Sequence, residues 1–483
     1  MRFNFRIIIG LLGLLLAING VFMFLCLPFS IYYGEEWSSI AISGVITLVF
    51  GILLWMTSKN HPNKELKKRD GYLIVTFGWL FMSFFGTLPY VLSGSIPHFT
   101  DAFFETISGF TTTGASVLND IEGMPKGILF WRSLTQWIGG MGIIVLTVAI
   151  LPILGIGGMQ LFGAEAPGIS PDKLKPRIKD TAKRLWLIYL GLTTLEMILL
   201  MFGGMSFFDS INHSLTTMAT GGFSTKQDSI AYYNSSYIEY VIVAFMFLAG
   251  TNFTITYFGL KGKFAKLWNN EEFRVYLFVV TLFTTIVAFS IYYFSDNPFN
   301  KSFRDAAFQV VSIITTTGFV SADFTIWTPF LTVFFFIMMF MGASAGSTAG
   351  GVKIVRHIIL FKNSFLEMKR QLHPSAVIPV RLNKKAINQD VTFHVLAFMM
   401  IYCSIFATGC IVISFTGVDF MTAVGAVATS LGNIGPGLGS VGPVDNFAHL
   451  TDFAKWFLGF LMLLGRLELF TVLMLFTRFF WRN

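Results

Sequence analysis

Charge is scarce in this sequence. Only 12% of its 483 residues are Asp, Glu, Lys or Arg, against roughly 25% in soluble domains, so a water-soluble globular fold is excluded. Cysteine is nearly absent: Cys26, Cys403 and Cys410 all lie in apolar runs, where they read as packing residues and not as a disulfide framework or a metal site. The histidines His61, His98, His213, His357, His373, His394 and His449 show no metal-ligand spacing. No Ser/His/Asp or Cys/His set is suggested, which leaves enzyme chemistry without a candidate. Two glycine patterns imitate nucleotide sites and fail. Gly437, Gly439 and Gly442 match a dinucleotide-binding spacing but follow no strand. The stretch from Gly346 to Lys353 approaches a phosphate-binding loop but has Val352 where Lys is required.

What fills the chain is apolar sequence, 54% of all residues. Long runs occupy 7–30, 37–55, 72–92, 128–153, 185–202, 237–260, 275–294, 329–341, 391–415 and 453–476. Most reach the roughly 20 residues that span a bilayer, giving about ten spans. The first run is too long for a signal peptide and lacks a small-residue cleavage site, so it reads as a retained helix. The net charge of +8 does not point to nucleic acid, because the basic residues concentrate in alternate loops: 59–69, 173–184, 261–274 and 353–385, with Arg2, Arg6, Arg478 and Arg482 at the ends. That is the positive-inside pattern, and it predicts cytoplasmic termini.

Between these runs one short stretch recurs four times. It runs from Asp101 to Thr111, Thr112, Thr113 and Gly114; from Asp209 to Ala219, Thr220, Gly221 and Gly222; and from Asp305 to Thr315, Thr316, Thr317 and Gly318. The Asp-to-Gly spacing is the same in these three. A degenerate fourth runs from Asp419 to Gly432, Asn433, Ile434 and Gly435. The copies lie about a hundred residues apart, a longer period than solenoid repeats have. Each is a short apolar helix, too short to cross, that ends in a Thr/Ser–Gly loop. Such backbone at membrane depth needs a protein-lined cavity. Glycine turns carbonyls inward, and carbonyl rings replace the hydration shell of K⁺ in selectivity filters. The expected fold is therefore an all-α integral membrane protein. Four pseudo-symmetric helix–pore-helix–filter–helix repeats surround one pore, with the filters on the outer side. The expected segments are an N-terminal helical pair at 1–70 and repeats at 71–155, 184–265, 272–370 and 388–483.

Two features break the regularity. The second span of the third repeat is interrupted by Gly342, Ala343, Ser344, Ala345, Gly346, Ser347, Thr348, Ala349, Gly350 and Gly351. So many small residues hold a helix poorly. They read as a flexible intramembrane loop, the alternative being a close helix-packing face. Arg466 sits in mid-span, where a cation costs roughly 2.5–3.5 kcal/mol on insertion scales. It should face the pore or else pair with Glu468 or Glu196. The basic, proline-bearing segment 361–385 reads as a topology determinant or a partner-docking surface.

These motifs resemble the TrkH/KtrB/HKT superfamily of cation transporters over essentially the whole chain, including the extra N-terminal pair. The resemblance implies a K⁺- and Rb⁺-selective conduit in the bacterial inner membrane, with K⁺ bound at the filter residues. It implies that 342–351 and Arg466 form the gate. It further implies a homodimer regulated by a cytoplasmic TrkA-type subunit that binds NAD(H) or ATP/ADP, with no nucleotide on this chain itself. It also favours Gly435 over Gly432 as the fourth filter glycine. A coupled K⁺/H⁺ or K⁺/Na⁺ transporter is the competing expectation, with Glu196 and Glu468 as its mid-span acids.

Overall fold

The computed structural model describes residues 3–57, 68–145 and 174–482. Most of the basic stretch 59–69, the Pro/Gly-rich connection at 155–171 and the start of 173–184 lie outside the described residues. Helix dominates, as the composition implies. Among the described residues the only strands form a two-residue hairpin, Arg381–Leu382 with Lys385–Ala386. Asn383 and Lys384 both take positive φ there, the twist a two-residue hairpin turn requires.

The N-terminal pair, Phe5–Phe24 and Ser38–Met56, packs at backbone distance. A β-carbon on Gly20 would meet Leu48 N at 2.7 Å and Gly44 O at 2.9 Å, the close approach that small residues permit between membrane helices. The turn beyond it is tied to the first repeat. The Glu35 carboxylate accepts from the Lys126 and Gly127 backbone N–H groups at 2.8 and 3.2 Å, occupying two orphan donors at a helix start.

Each repeat opens on a long helix: Lys68–Gly86, Leu174–Phe202, Glu271–Phe294 and Gln389–Ser414. A short helix follows: Phe99–Phe110, Phe207–Met218, Phe299–Ile314 and Phe420–Gly432. These four are buried along nearly their whole length, whereas the long helices turn residues such as Phe278, Phe289 and Met400 outward. Buried short helices inside a ring of outward-apolar spans are the expected re-entrant arrangement.

The closing helices of the second, third and fourth repeats depart from an unbroken span. Six described helices are long and apolar enough to cross a bilayer, or eight if two sharply bent pairs count as spans. One pair, Ser236–Ala249 with Phe253–Leu260, bends by 113° where the Asn252 side chain caps a new helix by accepting from Thr254 N at 2.8 Å. The other, Asp452–Arg466 with Phe470–Phe476, bends by 111°. Its break carries positive φ at Glu468 and Leu469, and Phe470 N donates to Glu468 O at 2.6 Å, closing a γ-turn of the rare, strained kind. The run at 329–341 yields only Pro329–Met338 before the glycine-rich loop, after which Ile354–Leu372 resumes. Hydropathy marks these segments as apolar runs but does not register backbone breaks that are satisfied inside protein.

Candidate ion pathway

The four short helices end in the same way. Thr112, Thr220, Thr316 and Asn433 all adopt left-handed φ, between 52° and 56°. The N–H of each reaches back three residues, and the next N–H reaches back five: Thr112 to Gly109 and Thr113 to Ser108, Thr220 to Thr217 and Gly221 to Thr216, Thr316 to Ile313 and Thr317 to Ser312, Asn433 to Ser430 and Ile434 to Thr429. This is the Schellman pattern, here closed by Thr or Asn where Gly is usual. Two residues beyond each left-handed residue stands a glycine with positive φ: Gly114, Gly222, Gly318 and Gly435 at 84°, 75°, 80° and 106°.

That shared cap aligns the fourth copy. Gly435, not Gly432, falls in step with the other three glycines, while Gly432 is the last residue of its helix. The Asp-to-Gly spacing fails there because Asp419 is the N-cap of its helix, accepting from Thr422 N at 3.1 Å, whereas Asp101 and Asp209 lie inside the first turn.

The glycines close a ring. A β-carbon on Gly114 would fall on the Gly221 carbonyl oxygen, one on Gly222 on Thr317 O, and one on Gly318 on Ile434 O, all well under 3.0 Å. One on Gly435 would lie 2.9 Å from Thr113 O. Each glycine therefore abuts the carbonyl that precedes the glycine of the next repeat, in the order 1–2–3–4–1. The carbonyls of Thr113, Gly221, Thr317 and Ile434 and the four glycines share one collar, and all four glycines line a common cavity. Further lining comes from Ser116, Ser224, Asp445 and Asn446 beyond the collar.

Behind the collar the repeats differ. In the first and third, paired hydroxyls brace the turn: Thr111 with Thr113 and Thr315 with Thr317, both at 2.8 Å. The second repeat has Ala219 and Gly221 at these positions, and Gln136 fills the space. Its amide donates to Gly221 O at 2.6 Å and accepts from Phe223 N at 3.1 Å. In the fourth, Asn433 Nδ2 donates to Thr113 Oγ1 at 3.0 Å and to Met462 O at 2.8 Å. One position on each of the first three short helices also holds the chain leaving the collar. Glu105 takes Ser116 Oγ at 3.0 Å, His213 meets Ser224 Oγ at 2.9 Å, and Gln309 reaches Ser321 Oγ at 3.3 Å.

Glu105 does more. It is buried against Arg132 at 2.6 Å, and that guanidinium stacks on Phe223 and donates to Ser224 O at 2.9 Å. A buried pair persists only when its remaining hydrogen-bonding capacity is met, and here it fastens the first collar segment to the second. Sequence reasoning missed Glu105, Arg132 and Gln136. The signal available was a charged or amide residue inside otherwise apolar runs, which is a functional pointer in a membrane segment.

The small-residue stretch is irregular throughout, from Gly342 to Gly351, and folds inward beneath the collar. Gly342 N bonds Val352 O at 2.7 Å and closes its stem. Its flank is held by Glu272, which accepts from Ala345 N at 2.7 Å, and by Asn252, which donates to Ala345 O at 2.7 Å. Phe253 N donates to Gly346 O at 3.1 Å. Arg466 is 2% exposed and pairs with no acid among the described residues. It donates to Thr348 O at 2.7 Å and Gly139 O at 3.2 Å. Glu468 pairs instead with Arg356, whose guanidinium also lies over Phe398, and Glu196 is buried beside Thr217 with neither oxygen in a well-formed hydrogen bond among the described residues. Of the two alternatives for Arg466, the acidic pairing with Glu468 or Glu196 is not the one formed; its partners are carbonyls, one of them on the loop.

Re-entrant helices, a collar of carbonyls and a loop lodged beneath it define a multi-pass membrane transport protein, not an enzyme. A family profile described as "Cation transport protein" (TrkH) matches residues 37–482. The Trk system potassium uptake protein TrkH of Escherichia coli strain K12 is 42% identical across 99% of this chain and all of its own length, and that of Halomonas elongata is 39% identical over the same shares. The crystal structure of the potassium transporter TrkH from Vibrio parahaemolyticus superposes with a TM-score of 0.91 at 38% identity, covering 99% of this chain and 100% of that one. The chain belongs to the TrkH family of cation transport proteins, within the Trk potassium uptake systems.

Proposed function

We propose that the chain is a gated, channel-like conduit that admits K⁺ and Rb⁺ through the bacterial inner membrane. The selectivity filter is Thr111–Gly114, Ala219–Gly222, Thr315–Gly318 and Asn433–Gly435, and the gate is residues 342–351 with Arg466. The observation that carries this reading is the closed succession of glycine–carbonyl contacts around the collar. Carbonyl oxygens arranged around one axis substitute for the hydration shell of a dehydrated K⁺. The guanidinium below adds a barrier. A unit charge 4 Å away at an effective dielectric of 20 is worth about 4 kcal/mol, less where water enters. With its two carbonyl bonds, Arg466 holds the loop in place while repelling cations. Each filter then belongs to one of the pseudo-repeats 71–155, 184–265, 272–370 and 388–483, with 1–70 outside them. The chain works as a homodimer with cytoplasmic termini and outward-facing filters. A cytoplasmic TrkA-type subunit that binds NAD(H) or ATP/ADP supplies the opening force, docking by way of the basic surface around 353–385.

One observation favours a second reading, coupled transport: Glu196 is fully buried beside Thr217, with neither oxygen in a well-formed hydrogen bond among the described residues, and such acids serve proton coupling elsewhere. Proteoliposome recordings separate the two. A conduit reverses at the K⁺ equilibrium potential whatever the H⁺ or Na⁺ gradient, whereas a carrier shifts with the second ion. Rb⁺ flux with and without the cytoplasmic subunit tests the gate, and equal flux in both would remove the regulatory part.

A further inference from the structure

The loop at 342–351 has two distinct sets of contacts. Its flank, at residues 344–346, is held from the side by Gly250, Asn252, Phe253 and Glu272. Its tip, at residues 348–350, reaches the filter segments, although Thr348 N and Oγ1 also lie 3.4 and 3.3 Å from Ala249 O. Thr348 Oγ1 donates to Met218 O, the last carbonyl of the second short helix, at 3.0 Å. Gly350 N donates to Thr316 Oγ1 at 2.6 Å, and Thr316 is the left-handed residue that turns the third segment into the collar. On the fourth segment, Gly350 seats so closely that a β-carbon there would meet Gly432 O at 2.6 Å and Asn433 Cβ at 2.8 Å. Asn433 is the left-handed residue of that segment, and its amide passes the contact on to Thr113 in the first. Thr112, the corresponding residue of the first segment, receives no bond from the loop among the described residues, and its hydroxyl has no hydrogen-bond partner there.

A plug needs only to fill the space below a filter. This tip instead supplies a donor or a close backbone contact to the turning points of the third and fourth segments, and a donor to the last helical carbonyl of the second, two residues before its turn. Thr and Asn are unusual in the left-handed region and hold it against an intrinsic penalty. A turn of that kind persists when its surroundings over-determine it, and here the loop is part of those surroundings.

Building on the reading of residues 342–351 as the gate, we propose that Thr348 and Gly350 are positioning residues for ion selectivity: the loop tip buttresses the second, third and fourth filter segments from below and holds the carbonyl collar at its K⁺-selective spacing. Loop position and filter geometry then form one coupled element. Withdrawal of the tip relaxes three filter segments at once, so the gate and the filter are not independent barriers in series.

The test is made from the loop side, leaving every filter residue native. The full-length chain is reconstituted in proteoliposomes as wild type, Thr348→Val, Thr348→Ser and Gly350→Ala. The K⁺/Na⁺ permeability ratio is read from bi-ionic reversal potentials and Rb⁺ influx per folded protein from tracer uptake. Thr348→Val keeps the volume and the backbone carbonyl that Arg466 binds but removes the hydroxyl. It should lower the K⁺/Na⁺ ratio by about threefold to tenfold, the range expected for one lost hydrogen bond. Thr348→Ser should restore the wild-type ratio, and Gly350→Ala should lower it independently. Raised Rb⁺ influx with an unchanged ratio in both Thr348→Val and Gly350→Ala would overturn the positioning role and leave the gate standing. Replacement of residues 345–350 by a shorter linker, if it left influx at the wild-type level in folded protein, would sink the gate reading instead.

Discussion

Gly114→Ser places two demands on the collar. Residue 114 has φ of 84°, which costs an L-residue about 1–2 kcal/mol. The new β-carbon would also fall on the Gly221 carbonyl oxygen, which must withdraw by about 1 Å to reach ordinary van der Waals separation. That oxygen is not free to move, because Gln136 Nε2 holds it at 2.6 Å. One carbonyl of the four is therefore displaced or rotated, and the K⁺-sized collar loses its regularity. If the strain of about 1–2 kcal/mol falls on the K⁺-loaded geometry, K⁺ preference drops by a factor of about 5–30. The assay is the K⁺/Na⁺ permeability ratio in proteoliposomes. Gly222→Ser and Gly318→Ser face equally severe overlaps and should behave alike. Gly435→Ser should be mildest, because the facing Thr113 oxygen lies 2.9 Å from its β-carbon position. A folded Gly114→Ser protein with the wild-type ratio would refute the argument, and so would a Gly435→Ser effect larger than the other three.

Arg466→Ala should raise partner-independent K⁺ flux on the order of tenfold, because it removes a barrier of up to about 4 kcal/mol together with the bond to Thr348 O; flux per folded protein that is flat or reduced would end the gating role. Arg466→Lys should fall between, since it keeps the charge but loses the planar fork. Arg132→Met strands a buried carboxylate at Glu105 and should destabilise the fold by about 3–5 kcal/mol, seen as a lower Tm in detergent, while the double change with Glu105→Gln recovers part of the loss; equal Tm values in wild type and single variant would contradict this. Gln136→Leu leaves Gly221 O and Phe223 N without their amide partner and should lower the K⁺/Na⁺ ratio, with an unchanged ratio showing that the second segment needs no brace.

Much of this protein was legible in the sequence because its signals are local. Scarce charge and apolar runs set the class, since a bilayer selects on transfer free energy residue by residue. The recurring Thr–Gly stretches marked the collar because positive φ and close carbonyl approach have few solutions other than glycine. The small residues at 342–351 marked the irregular loop for the converse reason, that they hold a helix poorly.

Only the tertiary structure decided the rest. Helix continuity was not readable, because the breaks near Asn252 and Glu468 are satisfied by partners such as Asn252 itself and Arg356, and hydropathy is blind to partners. The alignment of Gly435 with the other three collar glycines came from a shared left-handed cap and not from spacing from an acid, since Asp419 does a different job at its helix start. Arg466 found carbonyls at residues 348 and 139 in place of an acid. Glu105 met Arg132 and Gln136 met Gly221 across sequence separations that carry no local signature. Composition and periodicity fix what each segment must bury. Which buried polar group meets which depends on how the four repeats close around one axis, and that is a property of the assembled chain.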